Sequence, residues 1–356
     1  MANKPLVLIA THSVLVNGKG VHGPAHILAD HLERERVPYK LIELPLASGL
    51  ADWPKQMKQV ETAARKLRPT VFIGIDPLNG WVGKSLKRNS TVETFVYHTP
   101  DYSPKRFKLP PLNALYHWID RQSLNAADHA WTVSSRITDV RRNQGRTDAR
   151  TIFNGIPFDE TRIPRLNISR RFRLILVGNL NESMDIGLII DTIGALQRKF
   201  PRLRLDIVGD GKLRQTLEEQ VATSKLQKAV TFHGSVPLDR VLELLKDAGI
   251  GLALYSGKAG FNAFGDSKKI REYSAVGLPV ITTPIVVNAE EIRKYKAGIV
   301  TPPTAEGLKR AITKLVGDAS VYKQQRASAI RLAKATDLGT VLRDAFASIG
   351  IPTHEK

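Results

Sequence analysis

Apolar runs of strand length alternate with stretches of helical period along nearly the whole chain, and the pattern occurs twice. In the first half the runs cover 5–11, 39–45, 70–75, 91–99, 129–134 and 150–155. In the second half they cover 173–180, 203–211, 229–236, 249–256, 279–284 and 297–303. Runs such as "TVFIGI" and "RLILVGNL" do not alternate apolar with polar, so both faces of each strand are buried. Helices between such strands predict a parallel, doubly wound α/β sheet, here in two copies. The length, 356 residues, exceeds what one core usually holds, and 42% hydrophobic residues can supply two.

The polar stretch at 158–173 holds five arginines and one proline and reads as the interdomain linker. The expected division is a first domain over 1–160, a second over 161–335, and a last helical segment over 336–356 able to cross back to the first domain. The early run "PLVLIA" is a first strand, too short for a signal peptide. No stretch approaches the roughly 18 apolar residues of a membrane span. Cysteine is absent, which excludes disulfide and thiolate chemistry and fits a reducing cytoplasm.

The net charge is +19, which favours an anionic partner: nucleic acid, an anionic membrane or a phosphorylated substrate. Nucleic acid is the poorest fit. Aromatics are only 6%, and no zinc-finger or RNA-module spacing is present.

The segment "FGDSKKIREYSAVGLPVITTP", 264–284, carries the chemistry. Ligands of open α/β sheets sit beyond the carboxyl ends of the strands. Here the strand ending near Ser256 runs through a glycine-bearing loop into a short helix that Asp266 or Ser267 would cap. Free N–H groups at the helix start attract an anion, and Lys268 and Lys269 add charge. Glu272, one turn on, suits the two hydroxyls of a ribose. Together they describe a site for a nucleoside diphosphate; a capped helix with surface lysines is the plainer alternative.

"SKKIREYSAVGLPVI" resembles the donor-site helix of the GT-B glycosyltransferases, in the branch of retaining family four, the glycosyl transferases group 1. "RLILVGNL", "LRLDIVGDGKLRQTLEE" and "AVTFHGSVPLDRVLELLKDAGIGL" resemble further elements of that donor domain in the same order. "DHAWTVSSRI" with "IFNGIPFD" resembles the end of its acceptor domain. The resemblance implies two Rossmann-like domains facing a cleft, and transfer of a sugar from a nucleotide diphosphate sugar to an acceptor hydroxyl in glycan, polysaccharide or glycolipid biosynthesis.

It further implies that Glu272 binds ribose, and that Lys269, Ser267 and the helix-start amides hold the diphosphate. Gly178 and Asn179 would lie by the phosphates, with Gly209 after the next strand, and Gly234 to Val236 near the base. The chain departs from the family at its basic pair, where Asn179 and Met184 stand. It departs again at an acid that touches the donor sugar, where Phe264 stands; Asp266 or Asn262 are the substitutes. No cofactor and no metal are expected, since helix tip and lysine take the role of the cation. Retention of configuration is the family expectation.

In the first domain, Gly18, Gly20 and Gly23 form a glycine loop between strand and helix. They lie too far from the strand end for a redox dinucleotide site. The resemblance turns this loop, with Gly20, toward the donor phosphates. His98 ends a strand and Asp101 follows; the family places a His there near the donor sugar, and Asp101 is the candidate base if configuration inverts. Tyr97, Phe107, Leu109 and Pro110 interleave with Lys105, Arg106 and Lys108, a composition suited to a membrane surface or lipid-phosphate acceptor. The expected location is the cytoplasm, with possible attachment at the inner face of a membrane. Two other functions fit the residues: a nucleotide-sugar epimerase of this fold, or a non-catalytic binding module. A glycosyl phosphorylase would need a pyridoxal lysine site, and none is evident.

Overall fold

A computed structural model describes residues 5–352 except Val14, Asn17, Gly18, Val21, His22, Ala47, Ser48, Leu50 and 258–262. It divides into two compact units: residues 1–154 with 338–356, and residues 155–337.

The strands of the first unit are β1 (Val7–Ser13), β2 (Leu15–Val16), β3 (Lys19–Gly20), β4 (Tyr39–Pro45), β5 (Val71–Ile75), β6 (Thr94–Thr99), β7 (His129–Thr132) and β8 (Arg150–Thr151). Its helices are α1 (Pro24–Arg34), α2 (Asp52–Leu67), α3 (Pro77–Arg88), α4 (Pro110–Ala126) and α5 (Ser135–Asn143). Six strands form one parallel sheet in the order β4-β1-β5-β6-β7-β8, while β2 and β3 pair antiparallel in a separate two-stranded sheet. That hairpin has two-residue strands, too short to leave an apolar pattern in the sequence.

The second unit contains β9 (Arg173–Val177), β10 (Arg204–Val208), β11 (Val230–Gly234), β12 (Ile250–Ala253), β13 (Val280–Thr282) and β14 (Gly298–Val300). Its helices are α6 (Ile186–Leu196), α7 (Arg214–Thr223), α8 (Leu238–Asp247), α9 (Lys268–Ala275), α10 (Asn288–Tyr295), α11 (Ala305–Gly317) and α12 (Ala319–Ala335). The six strands are parallel in the order β11-β10-β9-β12-β13-β14. The polar residues 158–173 lie in this unit and form two 3₁₀ turns.

The sheets are buried on both faces, as the unbroken runs require; every residue of β5 and of β12 is buried. A last helix, α13 (Leu338–Ala347), returns to the first unit. Its Leu338, Leu342, Ala345 and Phe346 share a core with Val7, Ile9 and Ile73. Phe346 stacks on His31 at 5.1 Å and meets Trp131 edge-on at 5.4 Å.

In each sheet the direction of winding reverses once: between β1 and β5 in the first, between β9 and β12 in the second. A crevice opens past the carboxyl ends of the strands at such a point. Both groups of polar residues described next lie there.

Candidate active site

In the second unit, the loops after β9 and β10 press together. Gly209 has φ 128°, and a Cβ on it would lie 2.0 Å from the carbonyl oxygen of Gly178. Only glycine tolerates that approach. Gly178 itself faces Lys269: a Cβ there would sit 3.0 Å from Nζ. Asn179 is exposed beside it, and Val236 is half-buried after β11.

The Lys269 ammonium lies 3.2 Å from Met184 Sδ and 5.1 Å from the ring centroid of Tyr255. It has no carboxylate partner among the described residues. A cation held by a thioether and a ring face keeps its full demand for an anion. Met184 occupies the place where the family resemblance expects a second base, and a thioether there lets Lys269 approach without repulsion. The N–H groups of Lys268 and Lys269 also lack partners among the described residues, so the α9 tip presents open donors. Glu272, one turn on, has a side chain 9% exposed, with Oε1 3.6 Å from Lys268 Nζ.

The expected side-chain cap of α9 is absent. Ser267 is the N-cap residue but makes no capping bond. Its Oγ pairs with the Tyr255 hydroxyl at 2.7 Å, and its N–H donates to Asn288 Oδ1 at 2.7 Å. Asp266, read as a cap and as a substitute sugar-binding acid, turns inward instead. Its side chain is inaccessible and accepts from Arg271 Nη2 at 2.7 Å and from Asn288 Nδ2 at 2.7 Å. Burial works against the charge of Arg271, but Asp266 and Glu291 outweigh it and hold its pKa above the ordinary value. Asp266 therefore fixes the helix from beneath. Asn262, the other substitute, lies outside the described residues.

In the first unit, His98 also departs from expectation. It is 1% exposed in β6, opposite Ile75 on one side and Trp131 on the other. Its ring bonds to the Trp131 backbone while Nδ1 has no partner, and burial lowers its pKa to about 4. This is a neutral core histidine that reaches no surface: strand direction turned its side chain into the layer. Asp101 does reach a surface, and its Oδ2 accepts from Arg106 Nη1 at 2.6 Å. Gly20 pairs with Leu15 in the hairpin, and Gly18 lies outside the described residues.

A cavity of about 470 Å³ opens at the crevice of this sheet. Trp53, Phe107 and Tyr116 give it aromatic walls, and Asp101 and Arg106 stand at its side. His12, at the end of β1, and Asp76, just past β5, also line it. Sequence reasoning missed this pair.

Asp76 has φ 78° and ψ 162°, a region nearly reserved for glycine, at a cost of about 1–3 kcal/mol. Its bonds over-determine it. Oδ1 accepts from the N–H groups of Leu78 and Asn79, capping α3. Oδ2 accepts from the N–H and Nδ1 of His12, and from Asn79 Nδ2.

The other ring nitrogen of His12 is 3.1 Å from Gln56 Oε1, and Gln56 is oriented by its own bond to the Pro45 carbonyl. Both nitrogens thus face acceptors, which an imidazolium satisfies at once. Burial lowers the His12 pKa, but the bond to Asp76 and its charge outweigh burial and leave it raised. A legible sign did exist: in "GIDPLNG" an acid follows an apolar run and precedes Pro, an N-cap signature.

Residues 158–333 match the profile of the glycosyl transferases group 1, and this region of the chain belongs to that family. The glycogen synthase of Mycobacterium tuberculosis is 25% identical over 237 residues, covering 65% of this chain and 55% of that one. The chain thus spans about half the length of that relative. Among solved structures, the Anabaena protein HepE in complex with UDP and glucose is 16% identical, with a TM-score of 0.71 over 97% of this chain and 99% of that one. Sucrose-phosphate synthase from Thermosynechococcus elongatus is 13% identical, with a TM-score of 0.72 over 98% and 99%. The fold is the two-Rossmann GT-B fold that these structures share.

Proposed function

We propose that this chain is a glycosyltransferase that moves a sugar from a nucleotide diphosphate sugar to an acceptor hydroxyl. The observation that carries the reading is the Lys269 ammonium at the crevice of the second sheet. It has no counter-ion among the described residues, faces Gly178, belongs to the first turn of α9 with its open amides, and stands one turn from Glu272. Lys269, Ser267 and the α9 tip hold the diphosphate, with Gly178, Asn179 and Gly209 lining its approach. Glu272 takes the ribose, and Val236 borders the base.

As the bond from the anomeric carbon to the diphosphate breaks, negative charge grows on the leaving oxygens. The pre-oriented N–H groups and ammonium stabilise that charge. The acceptor occupies the 470 Å³ cavity, where aromatic faces cover the apolar sides of a sugar ring and carboxylates accept from its hydroxyls. Transfer proceeds with retention of configuration and without cofactor or metal.

The product belongs to polysaccharide or glycolipid biosynthesis, and the work is done in the cytoplasm, at the inner face of a membrane. No helix among the described residues is long and apolar enough to cross one. Because HepE was solved with UDP and glucose, UDP-glucose is the first donor to try.

Thermal shift with UDP-, GDP- and ADP-sugars tests the donor site, since a ligand bound to the folded state raises stability. Incubation of the stabilising donor with acceptors then separates the readings. Transfer or donor hydrolysis supports an enzyme of this kind, an epimerised donor supports an epimerase, and binding with no turnover supports a binding module.

A further inference from the structure

Over its first half the outward face of α4 is neither buried nor polar. Leu109, its N-cap residue, is 66% exposed, Leu115 is 42% exposed and Trp118 is 51% exposed. Leu115 and Trp118 are three apart and share one side of the helix. The Trp118 ring lies 5.3 Å from that of Trp81 on α3, and Lys84 Nζ sits 4.9 Å from the Trp81 centroid. Opposite this face, Ser123 and Leu124 are buried in the first unit, so packing accounts for the inner side alone.

Charge singles the ridge out. From Tyr102 to Ile119 the chain has no acidic residue, yet it carries Lys105, Arg106 and Lys108. Lys105 and Lys108 are exposed and have no carboxylate partner among the described residues. Arg121 is exposed one turn beyond Trp118. Leucine and tryptophan on a ridge rimmed by lysines suit the boundary between acyl chains and anionic headgroups.

We propose that this ridge, Leu109, Leu115 and Trp118 with Lys105 and Lys108, seats the first unit on an anionic lipid bilayer. The apolar side chains enter the interface and the ammonium groups meet lipid phosphates, as the basic excess of the whole chain favours. α4 and the loop before it also line the 470 Å³ cavity through Arg106, Phe107, Leu112 and Tyr116. Docking therefore sets the cavity beside the headgroups, where an acceptor hydroxyl carried on a lipid would arrive. That last step rests on the transferase reading; the docking does not.

The test uses the full chain, vesicles of phosphatidylcholine alone, and vesicles that include phosphatidylglycerol. Binding is read by flotation and by tryptophan emission. The expected result is binding to the anionic vesicles alone, weakened by salt, with a blue shift. Lys105→Ser with Lys108→Ser should lower partitioning about 25-fold, each cation contributing about fivefold. Leu115→Ser with Trp118→Ser should abolish the blue shift and the part of the binding that resists salt.

Both double variants should bind UDP as the parent does, which also shows that they are folded. Equal binding to the two vesicle types, binding to neither, or unchanged binding of the Leu115/Trp118 variant overturns the proposal. So does a Leu115/Trp118 variant that changes only the sedimentation of the protein alone, which would make the ridge a contact between copies. Loss of UDP binding by the parent with vesicle binding intact would strike the transferase reading and leave the docking in place.

Discussion

Arg271 donates from Nη2 to Asp266 Oδ1 at 2.7 Å, and its Nη1 lies 2.8 Å from Glu291 Oε2, so one buried guanidinium ties the start of α9 to α10. Removing it takes the guanidinium away from two carboxylates that are at least partly out of water. Arg271→Met should destabilise the protein by about 3–5 kcal/mol. Denaturant unfolding checks this; an unchanged midpoint would mean that α9 is held by something else.

Glu272→Ala should weaken nucleoside diphosphate binding about ten- to hundred-fold, the loss of a bond to a charged group worth roughly 1.5–3 kcal/mol. The parent's pair with Lys268 is long, 3.6 Å, and its lysine is 35% exposed, so its loss adds little to the change in stability. Calorimetry on a variant with the parent's melting behaviour checks it, and unchanged affinity would move the ribose site elsewhere.

Lys269→Met keeps the length of the chain and removes its charge. It should weaken UDP by about tenfold or more and leave uridine binding nearly unaltered, because only the diphosphate meets the ammonium. Equal losses for the two ligands would place the lysine against the nucleoside.

Turnover should survive EDTA. Abolition by chelator and rescue by Mg²⁺ or Mn²⁺ would assign the leaving-group charge to a metal rather than to the helix tip and Lys269.

Acid should weaken the first unit before ordinary carboxylate titration does. Burial lowers His31 and His98 from 6.5 to about 4 each. Between those values the unfolded chain binds protons that the folded chain does not, so stability is full above about pH 6.5 and falls as pH drops toward 4. The total loss is roughly 3 kcal/mol per histidine. His12 has the opposite sign: its raised pKa gives stability present below 6.5 and lost as pH rises through its folded value, outside this window. Unfolding curves across the range check the slope, and His31→Gln should remove about half of it.

The layered fold was legible because buried parallel strands leave unbroken apolar runs of their own length. Helix α9 was legible because its lysines and Glu272 lie within one local stretch. What escaped was built by distance along the chain. His12 and Asp76 are 64 residues apart and meet only because β1 and β5 are neighbours in the sheet. Asp266 looked like a cap because a sequence shows the helix it precedes and not Asn288 on the next helix, 22 residues on. His98 looked accessible because a strand's last residues can point either way when both faces are covered.

The return of α13 to the first unit has a consequence for the newborn chain. Residues 1–154 cannot complete their core until Leu338, Leu342 and Phe346 have left the ribosome, whereas residues 155–337 contain all of theirs. Domains usually mature in the order in which they are translated. Here the half made first must wait, with the apolar surface around Val7, Ile9 and Trp131 uncovered, for the half made second and the helix after it.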